Sequence, residues 1–275
     1  LQNEEEDKRL PELYKLNPKA FEKEISHSKK ALLRELDEFI ISEKPSESFI
    51  HVALSNINYN YYSRKELYLS SKKVASSHKQ ILYPEHFFTY RDSVQLNDNT
   101  LKNYYTYYQF INRYLDNLAD DGHKKQKTFF NKTSYEHQTQ KLRLIDSLIT
   151  NKQLHDNLLH NTVKRYLVHA DDSQKEHDLV ALFKKLDHNE AHQKEVERYA
   201  HNTAKINAGE LIPNLALITT NNEITSLQKI NASKTVFFFW NSKSVKHYKE
   251  IHVRIADLKT KYPDEIIIFP GEFSV

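Results

Sequence analysis

Only three glycines and seven prolines punctuate 275 residues, and that scarcity constrains the fold more than any other feature. Tight turns draw on glycine for positive φ and on proline for a preset φ, so a many-stranded sheet is hard to assemble from this sequence. Long helices are favoured instead. Hydrophobic residues make up 39% of the chain, a modest share, but 17 tyrosines and 14 phenylalanines supply bulky side chains for a core. A chain of this length suits one large domain or two ordinary ones.

Apolar periodicity then locates the helices. Asn17 and Pro18 form a cap and first-turn pair, followed by Phe21, Ile25, Leu32, Leu36 and Phe39 at helical spacing up to Pro45. Ile50, Ala53, Ile57 and Tyr61 share the next face, and Ser63 with Glu66 has the capping-box pattern, which predicts a fresh helix there. Pro84 starts a short helix through Phe87 and Phe88. Tyr104, Tyr108, Ile111, Leu115 and Leu118 give the clearest stripe. Further helices are expected near 132–150, around Leu154 to Tyr166, after a second capping box at Ser173 and Glu176, and over 189–205. Residues 1–17 read as a charged, mobile leader and 18–205 as one all-helical domain.

The pattern changes after residue 205. "IPNLALITTNNEITSLQKI" alternates around a turn at Asn221-Asn222 and predicts a hairpin. "KTVFFFW" and "EIIIF" have the length and residue type of buried strands, the second stopped by Pro270-Gly271. Between them, Ile251, Ile255 and Leu258 mark the apolar side of a helix. Strand, helix and strand in that order predict a right-handed crossover with parallel strands. The fold class expected is therefore α + α/β, with an all-helical domain followed by a βαβ segment over 206–275.

Composition excludes several functions. With no cysteine in the chain, disulfides, thiolate catalysis and cysteine-ligated zinc are ruled out together. Forty basic against 37 acidic residues leave a net charge of +3, too even to mark a nucleic-acid binder. No apolar run approaches the ~20 residues of a membrane span. The chain has no methionine, as in a processed or engineered piece.

Gly209, Pro213 and Leu215 in "AGELIPNLAL", the "NNEITSL" turn, and "KTVFFFW" followed by a helix and "KYPDEIIIF" carry a resemblance. Over residues 205–269 the chain resembles the TlpA-like thioredoxin-fold family of bacterial cell-envelope proteins. "SFIHVALSNINYNYY" and "FFTYRDSVQLNDNTLKNYYTYYQFINRYL" look like the helical segment that precedes this domain in some members. The resemblance implies a partial thioredoxin-like domain and a periplasmic or cell-envelope location. It also places Ser244 and His247 where the redox cysteines would stand. Since thiol–disulfide exchange needs a thiolate, the implied protein is redox-inactive and acts in binding or scaffolding. Its incomplete sheet would leave an open edge available to self-association.

Several residue groups are candidates for chemistry. Trp240, Lys243, Ser244, Lys246 and His247 surround a helix start whose free N–H groups favour an anion, an acidic peptide or an acidic protein. Ser244 and His247 also have the spacing of a nucleophile and base, the basis of an alternative hydrolase-like reading. The competing explanation is a serine cap and a solvated first turn. A purely structural helical module is a third reading. His188 and His192, at i and i+4, would share a helix face, but the residue after His188 is Asn189 where the zinc-protease pattern has glutamate. His155, His160 and His169 add no third ligand at a telling spacing, so no metal and no cofactor is expected. The tyrosine clusters at 59, 61, 62 and 104, 105, 107, 108 read as helix-packing groups, with Tyr105 on the polar side the better binding candidate.

Overall fold

The computed structural model describes residues 10–75, 81–123, 131–170, 172–204, 211, 213–218, 221–229, 235–240, 244–263 and 267–272. The chain divides into two compact units, residues 1–210 and 211–275. In the first, one helical turn at 10–13 (α1) precedes α2 (Pro18–Glu43) and α3 (Glu47–Ala75). A 3-10 segment (Glu85–Ser93) leads to α4 (Tyr105–His123), α5 (Tyr135–Leu148), α6 (Lys152–Leu167), α7 (Ser173–Leu186) and α8 (Glu190–Ala204).

Local chemistry explains most of the boundaries. Asn17 accepts a hydrogen bond from the Ala20 amide at 2.9 Å, with Pro18 opening the first turn of α2. Lys44 ends that helix in the left-handed region at φ 47°. Ser134, Asn151 and Asp172 cap α5, α6 and α7 through their side chains. The cap of α7 is thus Asp172, and Ser173 is already helical. The helix break expected at Ser63 is absent, because α3 runs unbroken through it. Ser63 and Glu66 are both buried, and their polar groups serve tertiary contacts described below.

Two apolar clusters fill this unit. The larger joins Tyr59 of α3, Phe110, Ile111 and Leu115 of α4, Leu142 and Ile145 of α5, Leu158 and Val163 of α6, Phe183 of α7 and Val196 of α8. The smaller joins Phe21 and Ile25 of α2, Tyr68 and Leu69 of α3, and Phe87. Phe21 stacks on Tyr68 with centroids 4.0 Å apart. Each fully buried side chain of this size contributes about 1.5–3 kcal/mol relative to exposure. Of the leader expected over 1–17, residues 1–9 lie outside the described residues, and Leu13, Tyr14 and Leu16 pack against the smaller cluster. The apolar stripe of α2 is covered only in part: Leu32 and Phe39 are exposed, and Phe39 meets Phe49 at 5.5 Å.

In the second unit, β1 (Ala216–Ile218) pairs antiparallel with β2 (Ile224–Ser226) around the turn expected at Asn221-Asn222, where Asn222 has φ 64°. A 3-10 turn (Leu227–Lys229) follows. β3 (Thr235–Trp240) pairs in parallel with β4 (Ile267–Glu272), and α9 (Val245–Lys261) lies between them in sequence. Pro270 and Gly271 do not stop β4 but pair with Phe238 and Phe239.

The expected α + α/β class, with a partial thioredoxin-like βαβ domain over 206–275, is overturned. The described residues are mostly helical, and their strands form only two separate two-stranded pairs, with no sheet joining the hairpin to the parallel pair. A thioredoxin-type domain needs a core between a continuous sheet and its helices. Among the described side chains of this unit none is fully buried, and even Ile251, Ile255 and Leu258 of α9 are half-buried.

Candidate functional site

Of the residues singled out around the start of α9, Ser244, Lys246 and His247 lie among the described ones. Ser244 occupies the cap position with φ −108° and ψ 72°, but its hydroxyl makes no capping hydrogen bond. Its carbonyl accepts from the Tyr248 amide at 2.9 Å. His247 is exposed, and the Lys246 side chain is 89% exposed, 4.0 Å from Glu250. The Trp240 side chain and the whole of Lys243 lie outside the described residues.

The histidines are arranged otherwise than expected. His188 precedes α8, so it shares no helix face with His192. His192 instead stacks on His160 of α6, with centroids 4.3 Å apart and planes 10° from parallel. Its Nδ1 lies 3.0 Å from Oδ2 of buried Asp187, and His160 Nε2 lies 3.2 Å from Oε2 of Glu195. Burial, the adjacent His192 and Lys164 push the His160 pKa down, with Glu195 and Asp187 opposing. His155 sits between Asp146 and Asp156, and His169 is exposed. Among the described residues no group of three or more histidine, aspartate or glutamate side chains is placed to hold a metal ion.

The tyrosines pack helices, but on a shifted face. Tyr107 is buried and meets Tyr59 edge-on at 4.8 Å, and both hydroxyls donate to the Gln95 carbonyl. Tyr104, expected on the apolar face, is exposed, as is Tyr105 at 71%.

Charge is concentrated elsewhere, in the interior of the helical unit. Glu66 of α3 accepts from Arg91 at 2.9 and 2.7 Å, from the Tyr90 hydroxyl at 2.5 Å and from Asn117 at 2.6 Å. Arg113 donates to the Ser63 hydroxyl at 2.7 Å. Glu22 of α2 accepts from Lys65 at 2.8 Å and Tyr61 at 3.0 Å, while the Lys65 ammonium lies 4.3 Å from the Phe87 ring centroid. Both Glu66 oxygens are engaged, as burial requires, whereas the Glu22 bonds converge on Oε1 and leave its buried Oε2 without a hydrogen bond.

Asp116 of α4 is different. Its Oδ1 accepts from Lys141 of α5 at 2.5 Å, and His137 Nε2 of the same helix lies 3.5 Å from that oxygen. Lys132, ahead of α5, lies 3.6 Å from Oδ2, and Arg165 of α6 lies 3.9 Å from it. Lys141 also donates to Asn112 at 2.7 Å, and Gln138 holds the Lys132 carbonyl through its side-chain amide. Lys141 is 1% exposed, Lys132 29% and Arg165 45%, so the cluster has a buried floor and a solvent-facing rim. Burial alone would raise the Asp116 pKa, but Lys141, His137 and Lys132 hold the carboxyl far below the usual range. Burial pulls Lys132 and Lys141 below the ordinary lysine value; Asp116 opposes that, and the like charge of Arg165 adds to it. Lys132, Lys141 and Arg165 thus gather around one carboxylate, with His137 beside them. Sequence reading passed over all of them, although the core-facing spacing of His137, Lys141, Leu142 and Ile145 on α5 marks Lys141 as a charge on the buried stripe.

No protein-family model, curated protein or solved structure matches the chain. No helix among the described residues is long and apolar enough to cross a membrane.

Proposed function

We propose that this protein is a redox-inactive binding or scaffolding protein whose helical unit engages a negatively charged partner group. The observation that carries the reading is the cluster of basic side chains at Asp116, with Lys132 and Arg165 partly exposed at its rim. Basic side chains gathered on one partly exposed rim favour the approach of an anionic group. Non-redox action follows from the lack of cysteine in the chain. The hydrolase-like alternative draws no support from the α9 start, where the Ser244 hydroxyl makes no capping bond and His247 is exposed. A periplasmic or cell-envelope location belongs to the same proposal, supported by the sequence resemblance alone, and fractionation of cells carrying the native gene tests it.

Titration with a short glutamate-rich peptide, read by NMR, tests the binding role. Saturable shifts centred on residues 132, 137, 141 and 165, weakening with added salt, are expected. No saturable shift at millimolar peptide would leave the cluster as a structural ion network and remove the basis of the proposal.

A further inference from the structure

Helix α8 is thinly anchored. Val196 is its one fully buried side chain, with Tyr199 and Ala200 packed in part against the larger apolar cluster. Its neighbour α6 buries apolar residues along almost its whole length, from Leu154 to Leu167. The rest of the docking of α8 is polar. His192 stacks on His160 of α6 with centroids 4.3 Å apart, and Lys164 of α6 donates to Glu195 at 2.6 Å. Toward α7, Lys184 donates to Glu197, and the Gln193 amide donates to the Asp187 carbonyl at 2.5 Å. We infer that α8 is a pH-released latch: docked near neutral pH, it detaches from α6 and α7 in the acid range where a histidine takes up a proton, while the other helices of the unit stay folded. This device is independent of the binding role proposed above.

The stack sets a proton where the docked helix accepts it least. His160 is 9% exposed, and its ring lies flat against His192, with planes 10° from parallel. Glu195, 3.2 Å from His160 Nε2, and Asp187, 3.0 Å from His192 Nδ1, favour charge on the rings, whereas Lys164 opposes it. Burial and the facing His192 outweigh both carboxylates, so His160 is held below the usual histidine value. Detachment of α8 gives His160 to water and takes His192 away from it. A ring that binds its proton more readily in the detached state draws the helix toward that state as pH falls. The window lies above ordinary carboxylate values, and Lys164 holds Glu195 lower still, so the ion pairs of this face stay charged through it. With Val196 alone fully buried, little apolar contact resists release.

Amide hydrogen exchange of the intact chain at about pH 7 and pH 5, corrected for the intrinsic effect of pH on exchange, tests the latch. Protection of α8 amides should fall about fivefold or more relative to those of α5 and α6. His160→Gln, which removes the titrating ring, should abolish the difference, and His201→Gln, at an exposed position of α8, should leave it intact. Should His160→Gln fail to fold, NMR of the parent chain decides, because α8 amide shifts must follow the same titration curve as the His160 ring. An equal loss of protection in α5, α6 and α8 would mean global acid unfolding and overturn the inference. So would unchanged α8 protection, a full pH response in folded His160→Gln, or α8 amide shifts that do not track the His160 ring.

Discussion

Arg91 grips Glu66 through both carboxylate oxygens, Nε to Oε1 at 2.9 Å and Nη2 to Oε2 at 2.7 Å. Glu66 is fully buried, and Tyr90 and Asn117 complete its shell. Arg91→Ala leaves that carboxylate without its cation, so unfolding free energy should drop by about 3–5 kcal/mol in urea titrations. Arg91→Lys keeps the charge but loses the fork and should fall between the two. A loss below about 1 kcal/mol for the alanine variant, the range of an exposed ion pair, would show that Glu66 is held by its other partners.

Asp116 makes acid sensitivity specific. Its folded pKa lies below the unfolded value, so its contribution is complete above about pH 4 and is lost as pH falls through the folded value below that. Asp116→Asn should therefore be less stable than the parent at pH 7, and the gap should narrow steadily below about pH 4. Denaturation curves at pH 7, 4 and 3 measure it. A gap independent of pH would mean that the carboxylate charge is not the stabilising feature.

The His160–His192 stack gives a second window with the opposite cause. His160 is held below the usual histidine value, so the unfolded chain takes up a proton before the folded one as pH falls below about 6.5. Stability should decline between pH 7 and pH 5, and His160→Gln should flatten that decline. The imidazole signals of His160, followed by NMR, should titrate below the ordinary histidine value of about 6.5. Titration at or above that value would refute the prediction.

Helix capping distinguishes neighbouring residues. The Asp172 carboxylate accepts from the Gln174 and Lys175 amides at 3.0 and 3.1 Å, so Asp172→Ala should cost about 1 kcal/mol. Ser173→Ala should cost distinctly less, since Ser173 lies inside α7. The reverse order in thermal unfolding would restore Ser173 as the cap.

Local signals were legible where local chemistry decides. Asn17-Pro18 opens α2, and the Asn221-Asn222 turn forms with Asn222 in the left-handed region, because each depends on adjacent residues only. Ser63 and Glu66 misled for the same reason. Their spacing is that of a capping box, yet their partners, Arg113, Arg91, Tyr90 and Asn117, come from distant positions that no short pattern reveals. Tyr104 failed through a small rotation of the apolar stripe: α4 begins at Tyr105 and turns Tyr107, Phe110 and Ile111 inward. The second unit was misjudged because an apolar strand signals burial without naming what buries it. Among the described residues, Thr235–Trp240 has one parallel partner, where a thioredoxin-like sheet would supply several. As for the candidate site, its cations come from three places in the sequence and converge only once α4, α5 and α6 have packed.

The continuity of α3 across Ser63 has a mechanical meaning. Its 29 residues, at about 1.5 Å each, form a rod roughly 43 Å long. The same rod carries Tyr59 in the larger apolar cluster and Tyr68 with Leu69 in the smaller. A break at Ser63 would have placed a hinge between the two clusters. Without one, α3 acts as a lever, and a displacement at either end is passed along its axis instead of being absorbed midway. Amide exchange should therefore be slow without interruption from Tyr59 to Leu69.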